Sequence, residues 1–165
     1  MREGAGYVYI SGRYGDHDPW LVIERRIVRA REHAVALAHA GIPYFSPHLN
    51  SAHFEAVVPG VAREFWLRLD EVFRAGAAAL LVVTHEWDKS VGTKADVAFA
   101  ETTGCPVYWT ETIDNLVRDW PTIIGEPGAM YPLYVLKARS TPSSKLHHMC
   151  PFKSGTLLTF HVLLL

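Results

Sequence analysis

The chain reads as a doubly wound α/β domain with a mostly parallel sheet of four or five strands and helices on both faces. Three observations predict this class. Short β-branched and aromatic runs alternate with longer amphipathic ones, the signature of strands interleaved with helices. Glycines 41, 76 and 104 stand where the amphipathic runs end, the usual chemistry of a helix C-terminus. The stretch from Ala77 to Trp109 also contains one complete βαβ unit. In it an apolar run (77–83) leads through a polar loop into Ser90-Val91-Gly92-Thr93-Lys94-Ala95-Asp96 and a helix, then Gly104, then a second apolar run (106–109).

Each element follows from its own residues. Tyr7-Val8-Tyr9-Ile10 is a buried first strand ending in the glycine-containing loop Ser11-Gly12-Arg13-Tyr14-Gly15. Asp18-Pro19 starts the first helix, with Asp as the cap and Pro in the first turn. Trp20, Ile23, Ile27, Ala30, Ala34 and Leu37 then recur every three or four residues as far as Ala40. Arg25, Arg26, Arg29 and Glu32 are expected on the outer side of this helix. Residues 42–45 form a second strand, its Pro43 tolerated at the start. Residues 46–59 are a loop. A second amphipathic helix carries Val61, Phe65, Leu69, Val72 and Phe73 on one stripe, with Asp70 beside it. After the central unit, residues 111–120 make a short helix. This order of elements is flavodoxin- or Rossmann-like.

Organisation follows from composition. The sequence predicts one α/β domain over residues 1–120 and an irregular, basic C-terminal extension over 121–165, with no acidic residue after Glu126. Residues 139–144 read as a linker. The apolar end, residues 157–165, admits three readings: a packed arm, a partner-binding segment, or sequence outside the evolved domain. Hydrophobic residues make up 49% and charged residues 20% of the 165, so the chain is globular. A net charge of -1 predicts no general attraction to nucleic acid or to membranes, and no apolar run approaches the roughly 20 residues of a membrane span. Two cysteines without a pairing pattern and no leader-like apolar core predict a cytoplasmic protein.

The chemistry points to the central unit. Ligands of such sheets bind beyond the carboxyl ends of the strands, and residues 84–96 should lie there. A helix N-terminus at Ser90 and Gly92 offers free amides to an anion, and Asp96 follows about one turn inside. Its plain alternative is a carboxylate that stabilises the helix N-terminus. Asp70 reads either as a second carboxyl of the site or as a surface partner of Arg74, four residues on. Trp87 can stack on a base or cap the sheet. His48, His53 and Glu55, and the tail's His147, His148 and Cys150, lack zinc spacing, so no metal and no cofactor is expected. Neither a dinucleotide fingerprint nor a Gly-Lys-Ser/Thr phosphate loop is present.

Three motifs together carry a resemblance: Val8-Tyr9-Ile10-Ser11-Gly12, Leu67-Arg68-Leu69-Asp70, and residues 90–100. In this order and spacing, over about residues 7–110, the chain resembles the nucleoside 2-deoxyribosyltransferase-like superfamily, which includes deoxynucleoside 5′-monophosphate N-glycosidases. The resemblance implies a pocket lined by Ser11, Gly12 and Arg13, and a Tyr9 that positions the nucleophile. Asp70 would bind sugar or base and aid leaving-group protonation. Ser90 and Gly92 would hold a 5′-phosphate, where the transferase branch has an acidic residue in place of Ser90. Asp96 falls at the nucleophile's position, where the family has Glu, and its side chain is shorter by one bond of about 1.5 Å. A shift of that size is worth about 100-fold in rate.

The sequence therefore predicts carboxylate-assisted cleavage or transfer of the N-glycosidic bond of a nucleoside or nucleoside 5′-monophosphate. Asp96, Asp70 and Tyr9 are its catalytic group, and Ser11, Gly12, Arg13, Trp87, Ser90 and Gly92 bind the substrate. The replacement of the acidic residue by Ser90 tilts the reading towards a nucleotide hydrolase. The expected partners are the small-molecule substrate and further copies of the chain, as subunits complete the pocket in that family. The rivals are a non-catalytic nucleotide-binding or sensor module, favoured by the Asp, and a different nucleotide-hydrolysing activity.

Overall fold

The structure is a computed structural model that describes residues 6–15 and 17–125. Four parallel strands form one sheet in the order β2-β1-β3-β4: β1 (Val8–Ser11), β2 (Tyr44–Phe45), β3 (Ala79–Val82) and β4 (Val107–Trp109). The register aligns Val8 with Ala79, Ser11 with Val82 and Leu80 with Val107. The six α-helices of the described residues are α1 (Trp20–His39), α2 (Pro47–Asn50), α3 (Phe54–Val57), α4 (Arg63–Gly76), α5 (Val91–Thr103) and α6 (Ile113–Ile123). This is the doubly wound fold.

Alternation along the strands sorts the core into two layers. Val8, Ile10, Ala79, Leu81 and Val83 face α1 and α6, where they meet Ala30, Ala34, Leu37, Leu116 and Trp120. Tyr9, Leu80 and Val82 face the other way, against Val97 and Ala100 of α5 with Phe45, Phe73, Trp87 and Trp109. Ser11, two residues beyond Tyr9, continues that second face. At the carboxyl edge the chain turns one way from β1 through α1 to β2 and the other way from β3 through α5 to β4, which makes β1 and β3 the switch point of the sheet.

Several local expectations are corrected. Asp18 does not cap α1: the helix starts at Trp20 with Pro19 at the cap and no side-chain bond there. The Asp18 carboxylate is committed elsewhere, to Arg13 and Arg26. Arg26 accordingly leaves the outer side of α1 and is largely covered. The 46–59 loop contains the single turns α2 and α3. Helix α6 runs through Pro121 to Ile123, so the first residues of the expected extension are helical. From residue 126 onward that extension, with the linker, the tail histidines and residues 157–165, lies outside the described residues.

The largest difference concerns α4. The apolar stripe expected for it is split: Phe73 turns inward and stacks on Phe45 at 3.8 Å between centroids, while Phe65 and Val72 are exposed, as is Val61, which precedes the helix. No residue of α4 is fully buried. The helix is held at its C-terminal end, where the Tyr7 hydroxyl donates to the Phe73 carbonyl. Gly76 is required there, since a Cβ would come within 2.7 Å of that hydroxyl.

Candidate functional site

Helix α5 supplies the centre of the site. Ser90 is its N-cap, with its hydroxyl accepting from the Thr93 amide at 3.2 Å and from the Thr93 hydroxyl at 3.0 Å. Gly104, at φ 69°, ends it in the left-handed region that glycine adopts without strain. Asp96 sits in its second turn and points at the end of β1. The Ser11 hydroxyl donates to Asp96 Oδ2 at 2.6 Å, and Arg74 Nη1 of α4 donates to Oδ1 at 2.8 Å. Three elements thus meet at one carboxylate. The Arg74 guanidinium also lies over the Phe99 ring, 4.6 Å from its centroid, and its Nε is buried without a partner.

Asp70 lies one turn before Arg74, but Arg74 is turned to Asp96. Asp70 therefore has no hydrogen-bond or ion-pair partner among the described residues. Burial and the Asp96 charge push its pKa up to about 7, against the pull of Arg74. Burial also lifts Asp96 above the usual carboxylate range, while the bonds from Ser11 and Arg74 oppose that rise. A carboxylate has about four acceptor positions, so two donors do not exhaust it. Tyr9, 1% exposed on the same face, is held neutral by burial and by the nearby charges of Asp96 and Asp70. At neutral pH the cluster therefore combines a carboxylate held by two donors with a carboxyl poised between its two forms.

The other sequence-predicted residues divide between two places. Trp87 is half-buried in the turn before α5, 5.3 Å from Trp109 between ring centroids, and caps the sheet's second layer. Gly92 faces open space in the first turn of α5. Gly12 and Arg13, by contrast, lie on the α1 side of the switch point. They line a small cleft with Arg26, Arg29, His48, Val83 and Thr84. Arg13 is paired with Asp18 at 2.9 Å. His48 and His53 are engaged separately: His48 Nε2 lies 3.2 Å from the Arg13 carbonyl, and His53 Nε2 lies 2.6 Å from Glu24 Oε1. No group of three metal-ligating side chains occurs among the described residues.

Arg74 is the site residue that sequence reasoning missed. The i,i+4 spacing offered Asp70 as its partner, and only the packing of α4 beside α5 decides otherwise.

No helix among the described residues is long and apolar enough to cross a membrane. No curated protein matches the chain. A family model does, and it covers residues 6–112, from the residues before β1 to the turn after β4, which takes in every candidate residue above. The chain belongs to the family described as a domain of unknown function, DUF1937.

Proposed function

We propose that the protein cleaves or transfers the N-glycosidic bond of a nucleoside or nucleoside 5′-monophosphate, with Asp96 as the ionised carboxylate and Asp70 as its proton-bearing partner. The observation that carries this reading is the pairing of two carboxyls in unlike surroundings. Asp96 is held by two donors, whereas Asp70 is half-buried, has no hydrogen-bond or ion-pair partner among the described residues and is raised to about 7. Environments that separate two carboxyls in this way assign an acid and a base or nucleophile. Glycosidic cleavage uses such a pair: one carboxylate stabilises or traps the oxocarbenium-like centre while the other group serves the leaving base. Tyr9, buried and kept neutral beside them, helps to position the Asp96 carboxylate in this reading. The resemblance to the nucleoside 2-deoxyribosyltransferase-like proteins supports the same assignment.

Ser90 and Gly92 would hold the 5′-phosphate. Ser90 already accepts from Thr93, so a phosphate would be met by its hydroxyl proton and by the first free amides of α5. The same reading includes a homo-oligomer. Val61, just before α4, and Phe65 and Val72 on it are exposed and leave an apolar stripe on the helix that carries Asp70 and Arg74.

A second reading, a nucleotide-binding module without turnover, is favoured by the Arg74–Asp96 pair itself, which holds the shorter carboxylate back from a substrate. The experiment that separates the two is a screen of deoxynucleosides and their 5′-monophosphates, with chromatography for free base and calorimetry for binding. Released base supports the enzyme. Binding without release supports the module.

A further inference from the structure

The cleft on the α1 side of the switch point is chemically distinct from the Asp96 cluster. Three arginines line it from two elements: Arg13 from the loop after β1, and Arg26 and Arg29 one turn apart on α1. Among the described residues, one carboxylate is tightly bound there. Asp18 takes Arg26 at 2.5 Å and Arg13 at 2.9 Å, and Gly15, at φ 74°, makes the turn that brings it in. Glu86, from the loop after β3, is held loosely. Its Oε2 stands 3.5 Å from Arg26 Nη2 and 3.9 Å from Arg13 Nη1, well beyond the roughly 2.7–2.9 Å of a good charge-assisted bond. The exposed Arg29 has no carboxylate partner among the described residues.

The wall of the cleft is shaped for close approach. At Gly12 a Cβ would come to 3.2 Å from Val83 Cγ2 and 3.4 Å from His48 Cε1, so a side chain there would crowd the cleft. His48 is only 5% exposed. Its Nε2 faces the Arg13 carbonyl and so carries the proton, which anchors the backbone that presents Arg13. Its Nδ1 is buried without a partner.

We propose that this cleft binds a phosphate-type oxyanion, which displaces the Glu86 carboxylate from Arg13 and Arg26 and gains Arg29 as a further ligand. Glu86 occupies the anion's place as a weak substitute, and a half-exposed ion pair of such length resists displacement little. Guanidinium forks recognise the planar edge of an oxyanion bidentately. The position fits as well, since it lies beyond the carboxyl ends of β1 and β3, where open α/β sheets take ligands. The proposal does not depend on chemistry at Asp96.

Calorimetric titration with inorganic phosphate at low ionic strength tests it, on the whole chain and three variants. The wild type binds phosphate. Glu86→Gln, which removes the competing charge, binds about two- to fivefold more tightly. Arg29→Ala, at an exposed position where folding is not at stake, binds about tenfold more weakly, and Arg118→Ala, on α6, leaves affinity unchanged. The same titrations with a nucleoside 5′-monophosphate identify the source. Tighter binding with the same Arg29 dependence assigns the group to a nucleotide, and equal binding assigns it to free phosphate; either supports the site. Absence of phosphate binding in both the wild type and Glu86→Gln overturns it, as do equal losses in Arg29→Ala and Arg118→Ala. Base release plays no part in the readout, so this proposal and the Asp96 reading fail separately.

Discussion

Arg74 Nη1 of α4 donates to Asp96 Oδ1 of α5 across 2.8 Å, and with side chains 14% and 13% exposed the two form the most covered ion pair described in this protein. Helix α4 buries no residue fully, so this contact, the Phe45–Phe73 stack and the Tyr7–Phe73 bond fix its C-terminal half. One interaction therefore joins the placement of a helix to the state of the candidate carboxylate.

Removing one partner should be worse than removing both. Arg74→Met leaves Asp96 largely buried without its cation and should cost about 2–4 kcal/mol. Arg74→Met combined with Asp96→Leu should recover much of that loss, because no uncompensated charge remains. Denaturant unfolding of the two single variants and the double variant checks this, and simple additivity would contradict it.

Asp70 should make stability depend on pH in the direction opposite to a salt-bridged acid. Its folded pKa of about 7 lies above the ordinary aspartate value of 3.8, so between these values the folded state holds the proton more firmly than the unfolded state does. The penalty is absent below about 3.8, grows as pH rises, and is complete above about 7. Asp70→Asn, which carries no charge, should therefore raise the melting temperature relative to wild type at pH 8 and change it little at pH 4. A gain of equal size at both values would show that Asp70 is not the titrating group.

Ser90 combines two roles that one substitution can separate. As the N-cap of α5, its loss in Ser90→Ala should cost about 1 kcal/mol of stability. As a phosphate ligand, its loss should weaken nucleotide binding by about tenfold and leave nucleoside binding nearly unchanged. Calorimetry with both ligands on the folded variant decides; equal losses would restrict Ser90 to capping.

The fold was largely legible because its signals are local. A serine before an apolar-periodic run, a glycine after it and two β-rich flanks predict the βαβ unit around α5, and Ser90 caps and Gly104 ends that helix as read. Ser11, Tyr9 and Asp96 also fall on one face, as period-two strands and the helix spacing require. What was not legible depends on packing. Periodicity located a stripe on α4 but not which arc of it faces the sheet, so Val61, Phe65 and Val72 proved exposed while Phe73 turned in. Asp18 had the residue type of a cap, yet its carboxylate is taken by two arginines and makes no cap bond. Arg74 had a candidate partner four residues away in sequence and found another 22 residues away, brought to 2.8 Å by the packing of α4 beside α5.

The most direct measurement is free-base release by wild type and Asp96→Asn, followed by chromatography on deoxynucleosides and their 5′-monophosphates, with calorimetric binding alongside. The substitution nearly preserves volume and leaves an oxygen for Ser11 or Arg74, but removes the charge that a sugar C1′ requires. The account predicts that release falls by orders of magnitude while binding changes little, because the lost interaction belongs to the transition state. Undiminished turnover in Asp96→Asn would contradict it.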